Sequence, residues 1–568
     1  MKKIESFLIY LILILAIILR FYHLGQFPPS LNWDEVSHGY NAYSILTTGS
    51  DEWGVKYPLT NFRAYGDYPL PLNLFITIPF IKYFGLNETS IRIPHAAIGV
   101  LLVLVVYFLA KIIFKNKKPA LIASFLVAVE PWYFFPSRFV LQSNLSVFFL
   151  TLGITAFLYR DKWKYFLPIS IISFGFSLFS YHTTRIFTPL LLLTLLIIYK
   201  KEMIQFYKES RRLFILTTLL AFFFFLPLPF ILLNPEARAR SNEVFLVDQG
   251  MIGRIIEYRN SSQLPSQVSK LIYNRPVFFT LGFVKNYVDY FSPKYLFLKG
   301  GTQYQFSIPN RGLLYLINLP FFYLGVLLVL YKVCKKKSDN IYKLLIAWLI
   351  LAPIPASITN ERFAVLRSST LLPLPEIFTV FGLSFIYQKV ICSNSILKTF
   401  KYCFLLFYLF LLGISLARYL NDYLEVYPKV YSQSWQYGYK EVVEFSKENY
   451  NKYDKIIITK KYGEPHEFFL FYWPWDPKQY KNDPKLIRFY KSNWYWVDGY
   501  NRFYFVNDWD IPKEEWQVFT LESKKESIDC TYLKCLLITT EGNYPKGWRI
   551  IKTINFLDGS VAFEILEN

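Results

Sequence analysis

The sequence is poor in cysteine, methionine and histidine, with five, three and five among 568 residues. So few cysteines exclude a disulfide scaffold, and Cys334, Cys392 and Cys403 fall in or beside apolar runs. Cys530 and Cys535 stand near the end; they could pair in an oxidising compartment, and two free thiols fit the spacing as well. No His, Cys, Asp or Glu spacing is diagnostic of a metal site, so no cofactor is assigned and a divalent metal is left open. The Asp508-x-Asp510 pair in "NDWD" is best read as a turn. There is no phosphate-cradling loop of the Walker type, and no internal repeat of the kind that marks inverted-repeat transporters. Acidic residues are outnumbered too, 41 Asp and Glu against 62 Lys and Arg, a formal charge of +21. No basic domain with interleaved aromatics accompanies that excess, so nucleic acid is not an expected partner.

What the chain has in quantity is apolar and aromatic side chains, 53% and 20%. A spanning helix needs about 20 mostly apolar residues. Eleven stretches qualify, near 6–22, 92–114, 119–136, 143–159, 164–181, 186–200, 213–233, 310–331, 343–358, 368–388 and 398–420. The first has a basic start but no small-residue cleavage site after it, so it reads as an uncleaved span rather than a signal peptide. Basic clusters fall in alternate connections: Lys115/Lys117/Lys118, Arg160/Lys162/Lys164, Lys200/Lys201/Arg211/Arg212, Lys332/Lys335/Lys336/Lys337 and Lys389/Lys398/Lys401. The positive-inside rule then puts the N-terminus in the cytoplasm and residues 23–91, 234–309 and 421–568 on the outer face of the cell membrane. The tail alternates helix-like "GYKEVVEFSKENYNKY" with strand-like "DKIIITK", "CLLITT" and "GSVAFEILE". The expected architecture is an α-helical polytopic membrane protein with a C-terminal extracytoplasmic α/β domain, divided as 1–420 and 421–568.

The first outer segment carries "LNWDEVSHGYNAY" (31–43), with adjacent acids Asp34 and Glu35. Asn32 could cap a helix starting at Trp33, with both acids in its favourable first turn. Consecutive helical residues point about 100° apart, so the two carboxylates cannot serve one atom from a regular helix. His38 lies one turn beyond Asp34. "GDYPLPLNLF" (66–75) and "FGLNETSIRIPHAAIG" (84–99) follow, the latter with Arg92 opening the second span. Arg138, Arg185 and Arg362 also fall near the outer face in this topology. An acid, an interfacial helix and arginines at one water–lipid boundary suit chemistry on a lipid phosphate, because guanidinium stays charged and grips phosphate with two hydrogen bonds.

The ordered set "WDE", "YPLPL" and "FGLNETSIRIP", with "EPWYFFPSR" (130–138), "SYHTTRIFTPLL" (180–191) and "LAPIPASIT" (351–359), resembles the GT-C glycosyltransferases, specifically the protein O-mannosyltransferase and aminoarabinose-transferase superfamily. The resemblance covers roughly residues 1–420. It implies an inverting transfer of a sugar from a polyprenyl-phosphate carrier to a protein, lipid or polysaccharide (glycan) acceptor at the outer face. Asp34 would match the family's catalytic aspartate, Glu35 its acidic neighbour, and Arg92 its arginine before the second span. Arg138, Arg185 and Arg362 would join Arg92 at the donor phosphate. His38, Asp67, Glu130 and His182 are expected substrate contacts; Asp67 and Glu130 stand where relatives often carry a basic and a small residue. The rivals are a polyprenyl-linked glycan transporter and an oligosaccharide ligase.

Overall fold

The structure is a computed structural model and describes residues 2–233, 244–335, 339–391, 398–514 and 516–568. Cys392, Lys336 and Lys337 lie outside the described residues. The chain divides into two compact units: Met1–Tyr22, His95–Ser137 and Leu141–Leu420 form one, and His23–Pro94, Arg138–Val140 and Asn421–Asn568 form the other. This differs from the division drawn on sequence, because the first outer segment is grouped with the tail.

The first unit is helical. Among the described residues, six helices are long and apolar enough to cross a membrane: Glu88–Phe114, Gln142–Tyr159, Arg211–Ile231, Leu316–Val333, Asn340–Ser357 and Cys403–Tyr431. A bent pair, Lys117–Val129 with Pro131–Arg138, makes a seventh if counted as one broken span. The expected eleven were counted on composition alone. The stretch near 6–22 is helical over Lys2–Phe21, and those near 164–181 and 186–200 fold as the shorter helices Phe166–Leu178 and Thr184–Ile198. The stretch near 368–388 folds as Leu374–Phe385, continued by a wider turn over Ile386–Ile391.

The 64° break before Pro131 leaves backbone groups that only protein can satisfy in lipid. Buried Arg20 donates to the carbonyls of Val127 and Ala128 at 3.1 and 3.0 Å. Glu130 accepts from the Tyr315 amide at 2.8 Å and from the Asn318 side chain, and the Trp132 amide reaches the Leu313 carbonyl at 3.0 Å.

The second unit is built on a mixed seven-stranded sheet. Its strands are β1 (Lys455–Thr459), β2 (Ile487–Lys491), β3 (Trp494–Tyr500), β4 (Phe503–Val506), β7 (Cys535–Thr539), β8 (Arg549–Asn555) and β9 (Val561–Glu567); β5 (Phe519–Thr520) and β6 (Ser527–Ile528) pair separately. The order is β2-β3-β4-β1-β7-β9-β8, with β1 parallel to both β4 and β7. A central strand covered on both faces should be apolar at every position, which explains the "KIIIT" of β1. Ile456 and Ile458 join one core, while Ile457 faces a second core with Leu521 and Leu537. Cys530 and Cys535 are joined as a disulfide.

The first core also holds Val36 and Tyr40 of helix Trp33–Thr48 and Phe468–Phe471 of helix Pro465–Tyr472. These helices approach so closely that a Cβ on Gly39 would lie 2.4 Å from the Phe471 ring, so only glycine fits there. Packing against the tail thus fixes the helix that bears the acid pair.

Candidate functional site

The helix Trp33–Thr48 begins as its sequence suggests. Asn32 is extended, and its side chain accepts the Glu35 amide at 2.9 Å, a conventional N-cap. From that start the two acids go separate ways.

Glu35 is fully buried. Arg92 grips it with both arms of a bidentate pair, Nε to Oε1 at 2.9 Å and Nη2 to Oε2 at 2.8 Å, and the Val140 amide adds a third bond at 3.0 Å. The remaining Arg92 donors reach the carbonyls of Leu24 and Pro28, each at 3.1 Å, and of Ser30 at 2.6 Å. A guanidinium has five N–H groups, and all five are used. Arg92 therefore ties the segment 24–30, the acidic helix and the start of its own span together. In this arrangement its donors are all taken by protein partners, and Glu35 is buried with it.

Asp34 remains partly exposed. The Tyr65 hydroxyl donates to its Oδ1. Burial, and then the Asp34 charge, push the Tyr65 phenol well above its ordinary range, so it stays protonated and remains a donor. Tyr65 is itself fixed. Its ring stacks on Trp494 at 5.7 Å and 5° between planes, and its carbonyl accepts the Tyr495 amide at 3.3 Å. Gly66 allows this approach: its φ is 133°, and a Cβ there would meet the Asn493 carbonyl at 3.0 Å. His38 lies against the edge of Phe62, with Nδ1 2.7 Å from the Asp34 carbonyl oxygen. A carbonyl only accepts, so Nδ1 carries the proton in that contact. His38 thus orients the backbone of Asp34 rather than its carboxylate.

The other expected residues are spread over both units. Asp67 shapes the turn below Tyr65, its side chain accepting the Tyr68 amide at 2.8 Å. Arg138 is buried, with Nε 3.1 Å from the Tyr423 hydroxyl and its guanidinium 5.4 Å from that ring's centre. In the helical unit, Glu130 is committed to the broken span, a structural occupation where a substrate contact is expected. Arg185 is buried with Nε 3.3 Å from the Leu178 carbonyl, and His182 lies in the short turn before it. Arg362 is exposed and pairs with Asp289 at 2.7 Å. Among the described residues no group of three or more His, Cys, Asp or Glu could hold a metal ion.

Residues 10–237 match the family model described as dolichyl-phosphate-mannose-protein mannosyltransferase. An uncharacterized protein of Aquifex aeolicus (strain VF5) is 28% identical over 146 residues, which is 25% of this chain and 28% of that protein. Among solved structures, the oligosaccharyltransferase AglB from Archaeoglobus fulgidus, in complex with an inhibitory peptide and a dolichol-phosphate, is similar over 83% of this chain and 64% of its own. The identity is 16% and the TM-score 0.49, and the chain spans just under two thirds of AglB. ArnT from Cupriavidus metallidurans, bound to undecaprenyl phosphate, is similar over 98% of this chain and 97% of its own, at 10% identity and a TM-score of 0.49.

The second unit carries a further set of polar residues that sequence reading misses. Helix Pro465–Tyr472 and the loop before it bury Glu464, His466 and Glu467, and Glu52 is buried as well. Burial raises the Glu52 carboxyl to about 7 and Glu464 to about 8, the latter in spite of Lys460. Glu467, with Glu52 and Glu464 close by, is raised well above the usual range. His466 is pushed well below its usual range by burial and then by Arg488 and Lys460, so it is neutral. Arg488 lies 4.0 Å over the Trp53 ring and 5.0 Å from that of Tyr480. After burial and Asp34, the charges of Glu467 and Glu464 also act to raise the Tyr65 phenol. The buried histidine between two acids in "GEPHEFF" is the one local signal that could have found it.

Proposed function

We propose that this multi-pass membrane protein is an inverting glycosyltransferase. It moves a sugar from a polyprenyl-phosphate carrier to an acceptor hydroxyl or amine, with Asp34 as the general base. The observation that carries the reading is the division of labour in the acid pair. Glu35 is spent on Arg92, whereas Asp34 keeps a partly exposed carboxylate held by Tyr65 at the start of a rigid helix. A base for acceptor attack needs that combination of access and fixed geometry. The family model supports the donor class, since its description names a dolichyl-phosphate-linked mannose. The basic clusters support an outward-facing site, and the Cys530–Cys535 disulfide suits an oxidising compartment.

In this reading the acceptor proton moves to Asp34 Oδ2 as the acceptor oxygen or nitrogen attacks the anomeric carbon. The glycosidic C–O bond breaks with its electrons going to the carrier phosphate. Tyr65 holds Oδ1 throughout. The leaving phosphate needs a cation, and with Arg92 fully engaged we propose Arg138, in the same unit as Asp34, for that role.

The test follows release of free polyprenyl phosphate by full-length protein in lipid, using a panel of polyprenyl-phosphate monosaccharides and a native membrane extract as acceptor. Wild type should release it with one donor sugar, and Asp34→Asn should lose about 10²–10⁴-fold. Equal release by the folded variant would remove Asp34 from the chemistry. No release with any donor would favour transport of the carrier-linked glycan.

A further inference from the structure

Helix Lys398–Asn421 leans on the rest of the helical unit through few contacts. The Tyr408 hydroxyl donates to the Asn318 side chain at 2.6 Å, and Phe321 meets the edges of Phe404 and Tyr408 at 6.2 and 5.8 Å. Beside these contacts the helices do not close. A cavity of about 560 Å³ lies between Lys398–Asn421, helix Lys2–Phe21, helix Lys117–Val129 and the end of Leu374–Phe385. That volume is in the range of small-molecule sites. Its walls include Leu8 and Leu15, spaced two turns apart on one helix face, and Phe125, Leu383 and Leu405. Its described polar groups include Asn116, Lys118 and Gln388, and among the described lining residues Lys118 is the charged one.

We propose that this cavity binds one anionic phospholipid, with an acyl chain along the apolar walls and the headgroup phosphate at Lys118. Charge argues for an anion: Lys118 lines the cavity, and an ammonium at the lipid–water boundary attracts phosphate. Apolar walls at spanning depth argue for a chain rather than water, which would find too few polar partners there. Position argues for a bilayer phospholipid over the sugar carrier. The rim lies where span Glu88–Phe114 ends, the basic end that the positive-inside rule puts on the cytoplasmic side, opposite the outer face of the proposed transfer. The lipid would wedge helix Lys398–Asn421 in place, and that helix leads directly into the tail.

Lipid retention tests this without reference to transfer. Full-length protein, delipidated in detergent, is given phosphatidylglycerol or phosphatidylcholine, and bound lipid is counted by native mass spectrometry. Wild type should retain phosphatidylglycerol at least tenfold better. Lys118→Glu should abolish that preference, and Ser384→Trp, which fills the cavity, should abolish retention of either lipid while the protein stays monodisperse. Equal retention of both lipids by wild type, an unchanged preference in Lys118→Glu, or unchanged retention in Ser384→Trp would each overturn the proposal. So would displacement of bound phosphatidylglycerol by equimolar polyprenyl phosphate, which would make the carrier the occupant.

Discussion

Two acidic pockets in the same unit are neutralised by different means. Around Glu35 the charge is kept and matched: one arginine, one amide and three carbonyl partners of that arginine close the hydrogen-bond count. Around Glu52, Glu464 and Glu467 the carboxyls outnumber the cations, and burial favours the proton instead. The first pocket is a fixed joint of matched charges. The second holds protons that pH can remove, and its acids bear on the tyrosine that supports Asp34.

The largest way to break this contrast is to remove one partner of the matched pair. Arg92→Ala leaves a buried, unpaired carboxylate and frees three carbonyls, and should cost about 3–5 kcal/mol. Thermal unfolding of the full chain in lipid would show it. A drop of under a degree would mean that water replaces the guanidinium and that the joint is not structural.

Next comes the support of the base. Tyr65→Phe keeps the stack on Trp494 and removes the bond to Asp34. We expect about a tenfold fall in kcat with little change in KM, because one hydrogen bond that orients a catalytic group is worth about 0.5–1.5 kcal/mol. Unchanged kcat would show that Asp34 does not depend on Tyr65.

The pH response is smaller and has a definite sign. The unfolded chain releases the Glu52 and Glu464 protons near the ordinary glutamate range, whereas the folded protein holds them to about 7 and 8. Between those limits the native state binds more protons than the unfolded one, so stability falls as pH rises from about 4.5 to 8. Melting temperatures across that window should decline, and Glu464→Gln should flatten the decline above pH 7. A rising curve would contradict the protonated pocket. The smallest effect belongs to Glu467→Gln, which exchanges a carboxyl already neutral for a neutral amide. It should shift stability at pH 7 by under about 1 kcal/mol, a size expected when no buried charge is created or stranded.

Much of the architecture is legible in the sequence because its signals are local. Apolar runs mark the helices, and the three consecutive isoleucines of "KIIIT" announce a strand buried on both faces. The count of spans is less legible, since composition cannot register the bend before Pro131 or the shortness of Phe166–Leu178. Asn32 as a cap and Asp34 and Glu35 in the first turn are likewise visible from neighbours alone. What separates the two acids is not local: Arg92 stands 57 residues from Glu35 and the Val140 amide 105. The same holds for Tyr65 and the tail acids, whose roles arise when helix Pro465–Tyr472 packs on Trp33–Thr48. Glu130 shows the converse, an acid that looks available in sequence and is consumed by backbone left open at a broken helix.

The central claim is that one acid of the pair does chemistry and its neighbour does not. The most direct measurement compares Asp34→Asn and Glu35→Gln in the same lipid, scoring polyprenyl phosphate release and thermal unfolding together. The account predicts that Asp34→Asn melts like wild type and releases at least 100-fold less, while Glu35→Gln melts markedly lower and retains activity in proportion to its folded fraction. A Glu35→Gln protein that is fully stable and inactive, beside an active Asp34→Asn, would contradict it.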